Sequence, residues 1–124
     1  MTRSSGILLP VSALPGLCGI GDLGTAAREF IDFLAAAGQR YWQILPLNPP
    51  DSAHSPYLSA STFAGSTDLL SPEPFMARGA LTLDEVRSVD WGGDPMRVDY
   101  GRVHAGKTAL WAAAFAREQA AVTP

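Results

Sequence analysis

Among its 124 residues the chain has one cysteine, Cys18, which excludes an intramolecular disulfide framework and any cysteine-based zinc site. Basic residues are few: nine Lys and Arg stand against twelve Asp and Glu, for a formal net charge of −3. Nucleic acid and anionic membrane surfaces both favour clustered Lys and Arg, so neither is an expected partner. No apolar run approaches membrane-spanning length. The opening residues Met1-Thr2-Arg3-Ser4-Ser5 lead into strand-like sequence without an apolar signal-peptide core. The expected setting is reducing and cytoplasmic.

Familiar catalytic constellations are also missing. His54 and His104 are far apart, and neither has a second His or a carboxylate at metal-ligand spacing. No metal and no cofactor is expected. Cys18 sits in a glycine loop with no His or cation nearby in sequence, which argues against a catalytic thiol. Ser55 lacks the G-x-S-x-G setting of a nucleophile elbow. Asp22, Asp51, Asp68 and Asp94 all fall in loops and read as turn or capping residues. Gly19-Ile20-Gly21-Asp22-Leu23-Gly24 has the spacing G-x-G-x-x-G before a helix. A dinucleotide loop follows its strand directly, however, and carries an acidic residue about twenty positions on. Here Pro10 to Cys18 intervene after the strand, and the next strand ends in Leu45-Pro46. A compact turn before a helix fits better.

What is present is a 47% hydrophobic, 17% charged composition, ordinary for one modest globular unit. Gly6–Leu9 reads as a first buried strand, followed by a Pro- and Gly-punctuated loop to Gly24. Thr25–Ala37 reads as a helix with Phe30, Phe33, Leu34 and Ala37 on one apolar face. Arg28 and Asp32 are spaced to pair on its wet side, and Gly38 suits a left-handed cap. Tyr41–Leu45 reads as a second buried strand. Strand, helix and strand in this order predict an α/β unit with a parallel sheet covered on both faces. Further on, Pro72–Arg78 with Gly79 predicts a short helix. Thr82 and Glu85 form a capping-box pattern for another. Asp90–Asp99 reads as loop around Gly92-Gly93-Asp94-Pro95. From about Gly101 a long helix is expected, with Val103, Lys107, Leu110, Trp111 and Ala114 on one face.

The stretch Gly38–Gly65 carries the strongest functional signal. Its strand empties into a loop rich in Pro, Ser, Asn and Asp, with one aromatic, Tyr57, inside Ser55-Pro56-Tyr57. Such loops at strand ends are where α/β enzymes build substrate contacts. Tyr57 reads either as an aromatic packed on the rim or as a platform for a ring-shaped polar ligand such as a sugar.

Several motifs resemble one family in order and spacing. They are Ser5-Gly6-Ile7-Leu8-Leu9, Leu14-Pro15-Gly16, Gly19 to Gly24, Phe33-Leu34 through Ala37-Gly38-Gln39, and Tyr41-Trp42-Gln43-Ile44-Leu45-Pro46-Leu47. Ser55-Pro56-Tyr57, Phe63-Ala64-Gly65, and Arg97-Val98-Asp99-Tyr100 with Lys107 and Trp111 continue the series. The chain resembles the 4-α-glucanotransferases (amylomaltases, or disproportionating enzymes) of glycoside hydrolase family 77, from about Gly6 to Phe115.

The resemblance implies the N-terminal portion of a (β/α)8 TIM barrel with the start of an inserted subdomain. Residues 6–38 would be the first βα unit, 41–45 the second strand, 46–100 the loop and insertion, and the helix would begin near 101. It implies transfer of α-1,4-glucan segments from a maltooligosaccharide donor to glucose or an oligosaccharide acceptor. The mechanism would be retaining, with an Asp nucleophile and a Glu acid/base. No Asp or Glu here matches the family's catalytic motifs. Tyr57, with Ser55 beside it, matches the family's sugar-contacting position, whereas Asp99 and Tyr100 match a structural motif. The family's Tyr-Gly-Asp before Ser-Pro-Tyr is replaced by Ser52-Ala53-His54, so a sugar-binding Tyr of some members is absent. Leu58, Ser66 and Thr67-Asp68 also depart from its pattern. Because the chain stops at Ala120-Ala121-Val122-Thr123-Pro124, just after a helical segment, an inactive fragment is expected. The rival expectations are a stand-alone carbohydrate-binding module using Tyr57 and a dinucleotide-binding domain.

Overall fold

Two short apolar runs pair as the sheet of this protein. In the computed structural model, which describes residues 3–122, β1 (Gly6–Leu8) and β2 (Tyr41–Gln43) are parallel. Gly6 lies opposite Tyr41, and Leu8 opposite Gln43. Both strands are shorter than the sequence predicts, although the Leu9 amide still donates to the Gln43 carbonyl at 3.0 Å. Pro10 and Pro46 follow closely and have no N–H to continue the ladder.

The crossover carries a single 3-10 turn at Val11–Ala13 and then α1 (Thr25–Ala36). Gly38, at φ 71°, ends α1 in the left-handed conformation. Its amide bonds to the Ala35 carbonyl and that of Gln39 to the Leu34 carbonyl, which is a Schellman closure. The apolar face of α1 is rotated from the expected one. Ala27 and Leu34 are buried and Phe30 is half-buried, but Phe33 is 63% exposed and Ala37 is exposed. The period is helical as expected; what the sequence does not reveal is which stripe meets a neighbour. Phe30 settles this by packing edge-to-face on Trp42 of β2, ring centroids 5.1 Å apart.

The expectation of a sheet covered on both faces fails within this chain. Ile7, Leu8 and Tyr41 are exposed. Two strands present two open edges, and among the described residues α1 is the helix that packs chiefly against them, which leaves these apolar side chains without a second covering layer.

The core lies elsewhere. α2 (Glu73–Ala77), α3 (Leu83–Ser88) and α4 (Tyr100–Val122) gather Ala80, Leu81, Val86, Leu110 and Ala114 around Cys18 of the glycine loop. Phe75, Met76, Trp91 and Trp111 pack against this cluster from the half-buried shell. α3 carries the expected capping box, with Thr82 accepting from the Glu85 amide and Glu85 accepting from the Thr82 amide. α4 begins at Tyr100, and Val103, Lys107, Leu110 and Ala114 are all buried on one stripe, as its spacing predicts.

The glycine loop packs on itself. A Cβ on Gly21 would stand 2.1 Å from the Val11 carbonyl oxygen, and one on Gly19, at φ 67°, 2.7 Å from that of Trp91. The glycines therefore permit close approach of backbone to backbone, which is the compact-turn reading of G-x-G-x-x-G.

One long-range contact replaces an expected local one. Arg28 pairs with Glu73 at 3.0 Å, not with Asp32. Gly24 has no side chain with which to cap α1. Glu73 supplies that function by accepting from the Thr25 amide at 2.8 Å and the Thr25 hydroxyl at 2.7 Å. Burial pushes the Glu73 carboxyl up, but these hydrogen bonds and Arg28 outweigh it and hold it below its ordinary value.

Candidate functional site

After β2 the chain makes an excursion over residues 46–66 and returns beside its start, where the Ser66 amide donates to the Leu47 carbonyl at 2.7 Å. Asn48 braces the neck by donating to the carbonyls of Ser61 (3.1 Å) and Ala64 (2.9 Å). Within the excursion a tight turn is built on Asp51. Its carboxylate accepts from the amides of Ala53 (3.1 Å) and Ser55 (3.3 Å). Its amide donates to the Leu58 carbonyl (2.8 Å) and its carbonyl accepts from the His54 amide (2.9 Å). The sequence reading of Asp51 as a turn residue holds.

This turn presents both predicted site residues. Tyr57 is 71% exposed, and its phenol bonds to no group among the described residues. Ser55 is half-buried, with its amide held by Asp51 and its hydroxyl uncommitted among the described residues. Pro56, between them, lines a cavity of about 220 Å³ whose other walls include Val11, Leu45, Asn48, His54 and Leu69. Val11 follows β1 and Leu45 follows β2, so the cavity opens at the carboxyl ends of the parallel strands. That is the end at which parallel α/β sheets place their ligands.

A buried polar centre supports the return limb of the loop. Lys107, fully buried, donates from Nζ to the carbonyls of Asp68 (2.6 Å) and Leu70 (2.7 Å). The Asp22 carboxylate lies 3.8 Å from the same nitrogen and also accepts from the Gly24 amide at 2.9 Å. Burial pulls the Lys107 ammonium below its ordinary pKa, partly offset by Cys18, Asp22 and Asp68. Burial likewise raises the Asp22 carboxyl against the pull of Lys107. The Cys18 thiol is pushed up to about 11, mainly by burial.

The family model for 4-alpha-glucanotransferase, glycoside hydrolase family 77, matches residues 9–124. The chain belongs to the 4-alpha-glucanotransferase family. It is 42% identical over 108 residues to a 4-alpha-glucanotransferase of Streptococcus pneumoniae serotype 4, covering 87% of this chain and 21% of that protein. It is 45% identical over 107 residues to one of Thermus thermophilus, covering 86% of this chain and 20% of that protein. Its structure is similar to that of an amylomaltase from Streptococcus agalactiae solved in complex with acarbose. The TM-score is 0.87 at 36% identity, over 92% of this chain and 23% of that one. The chain thus spans about a fifth of the length of the curated relatives it matches.

Within this glucanotransferase-family chain, several carboxylates away from Asp51 are held by structural partners. Asp68 faces His104 Nδ1 at 3.2 Å, Glu85 pairs with Arg117, and Asp90 pairs with Arg102. Among the described residues no group of three or more His, Cys, Asp or Glu is arranged to hold a metal ion, and no helix is long and apolar enough to cross a membrane. Asp22 corrects the sequence reading in part: it caps its turn, but it also faces a buried cation. Cys18 corrects it too, because the buried Lys107 ammonium of α4, more than eighty positions along the chain, acts electrostatically on its thiol. Lys107 on an otherwise apolar stripe was the visible signal of this centre. His54 stacks face to face on Tyr100, centroids 4.4 Å apart and planes 10° from parallel; no spacing rule points to that pair.

Proposed function

We propose that this chain forms the N-terminal portion of the (β/α)8 barrel of a 4-α-glucanotransferase and contributes loop 46–66 to its glucan cleft. The observation that carries the reading is the coincidence of two facts. The family match runs through residues 9–124, and an exposed aromatic stands beside a cavity at the carboxyl ends of β1 and β2. The β1–α1–β2 order supports the barrel assignment. Residues 46–99, with α2 and α3, are the beginning of an inserted subdomain.

In this reading the apolar face of a donor glucose lies on the Tyr57 ring, while the Tyr57 phenol and Ser55 hydroxyl meet its hydroxyl rim. The reaction is retaining. A carboxylate nucleophile and a carboxylic acid/base from the rest of the protein break the α-1,4 bond and form a glycosyl-enzyme, which an acceptor sugar hydroxyl then attacks. Transfer prevails over hydrolysis when the loops around the intermediate exclude water. The residues of this chain hold sugar and do not break bonds, so the 124 residues alone are expected to be inactive.

The test is incubation of the full-length protein with maltotriose. The expected products are glucose and a ladder of longer maltooligosaccharides. Glucose without a ladder, or no turnover, overturns the proposal.

A further inference from the structure

We propose that His54 is a positioning residue for glucan transfer: by stacking on Tyr100 it fixes the turn that presents Ser55 and Tyr57. The proposal rests on the sugar-contact reading above and goes beyond it by naming what holds the contact in place.

The backbone gives the first argument. His54 has φ 58°, and among the described residues it is the one non-glycine with positive φ. A side chain in that region persists where its surroundings over-determine it. The Asp51–Leu58 hydrogen bonds close the turn, but they all lie within the turn. The His54–Tyr100 stack ties it to a different element, the first residue of α4. Tyr57, exposed and unpaired, takes its position from this turn. An aromatic platform held before the sugar arrives binds better than one ordered on arrival. Tyr100 contributes its ring, since its hydroxyl bonds to nothing among the described residues.

The experiment uses the full-length protein and two readouts: maltotriose disproportionation kinetics, and hydrogen exchange over residues 51–58. His54→Asn keeps a side chain that tolerates the left-handed backbone but removes the ring. Tyr100→Leu removes the other ring, and Tyr100→Phe keeps it. His54→Asn and Tyr100→Leu are each expected to raise KM about three- to tenfold, the worth of one aromatic pair, with kcat within about twofold. Both should speed exchange across 51–58. The double variant should be no worse than either single, and Tyr100→Phe should match the parent. Unchanged exchange in His54→Asn, faster exchange without a change in KM, or equal damage by Tyr100→Phe and Tyr100→Leu overturns the proposal. Unchanged kinetics in Tyr57→Ala marks a different failure, that of the sugar-contact reading itself.

Discussion

Replacing Lys107 with Met removes one cation and leaves three acceptors behind. Met has nearly the shape of the aliphatic stem, so no large cavity opens. The carbonyls of Asp68 and Leu70, now 2.6 and 2.7 Å from Nζ, lose their donor, and Asp22 loses the positive charge 3.8 Å away. A buried acceptor left unpaired costs about 1–3 kcal/mol, and removing one member of a buried charge pair costs about 3–5 kcal/mol. These costs overlap, and the expected loss is about 3–5 kcal/mol for opening of the α4 cluster. Cys18 reports that opening, because it is fully buried and its thiol sits at about 11 while the fold is closed. Alkylation then proceeds through the open state, and its rate measures the local opening equilibrium. In the full-length protein, read on the peptide containing Cys18, the variant should label about a hundred- to several-thousandfold faster. The loss should also shrink as pH falls. Burial raises the Asp22 carboxyl and Lys107 pulls it back down, so the variant leaves the rise unopposed by that charge. A carboxyl raised in the folded state destabilises the fold fully above its folded pKa and progressively less as pH falls toward its unfolded value. Labelling within about threefold of the parent would refute this reasoning.

Gly106→Ala in α4 would add about 1 kcal/mol in an exposed helix. Here the new Cβ would meet Val89 Cγ1 at 2.6 Å and Trp91 Cζ3 at 2.7 Å, so denaturant titration should show a loss of about 1–3 kcal/mol. Glu85 is held down to about 2, foremost by Arg117 and then by the Thr82 amide and hydroxyl. A depressed acid stabilises the fold above its unfolded pKa and ceases to as pH falls through the folded value. Glu85→Gln should therefore flatten the acid limb of stability between pH 4.5 and about 2, and an unchanged limb would count against the pairing.

What was legible in the sequence was local. Gly38 closing α1 and the Thr82/Glu85 box need only neighbouring residues, and both are found. The stripe of α4 was legible too, Lys107 included, because helical spacing fixes which residues share a face. The features that were missed depend on partners distant in sequence. Glu73 caps α1 across 48 positions, Lys107 reaches Cys18 and Asp22, and Phe30 turns α1 toward Trp42 at the expense of Phe33. The exposed sheet was illegible for a related reason: an apolar strand declares that it will be covered, not by which part of a protein. For the site, Ser55-Pro56-Tyr57 was visible as a loop motif and by resemblance. The His54–Tyr100 stack was not, since it joins a turn to a helix 46 positions on.

The measurement that bears most directly on the account is the kinetics of Tyr57→Ala in the full-length protein with maltotriose. The Tyr57 ring is exposed and has no partner among the described residues, so its removal is expected to leave the fold intact and a change in turnover to report the lost sugar contact. The account predicts that kcat/KM falls about tenfold or more, with the parent melting temperature retained. Unaltered kcat/KM would contradict it and remove loop 46–66 from the glucan cleft.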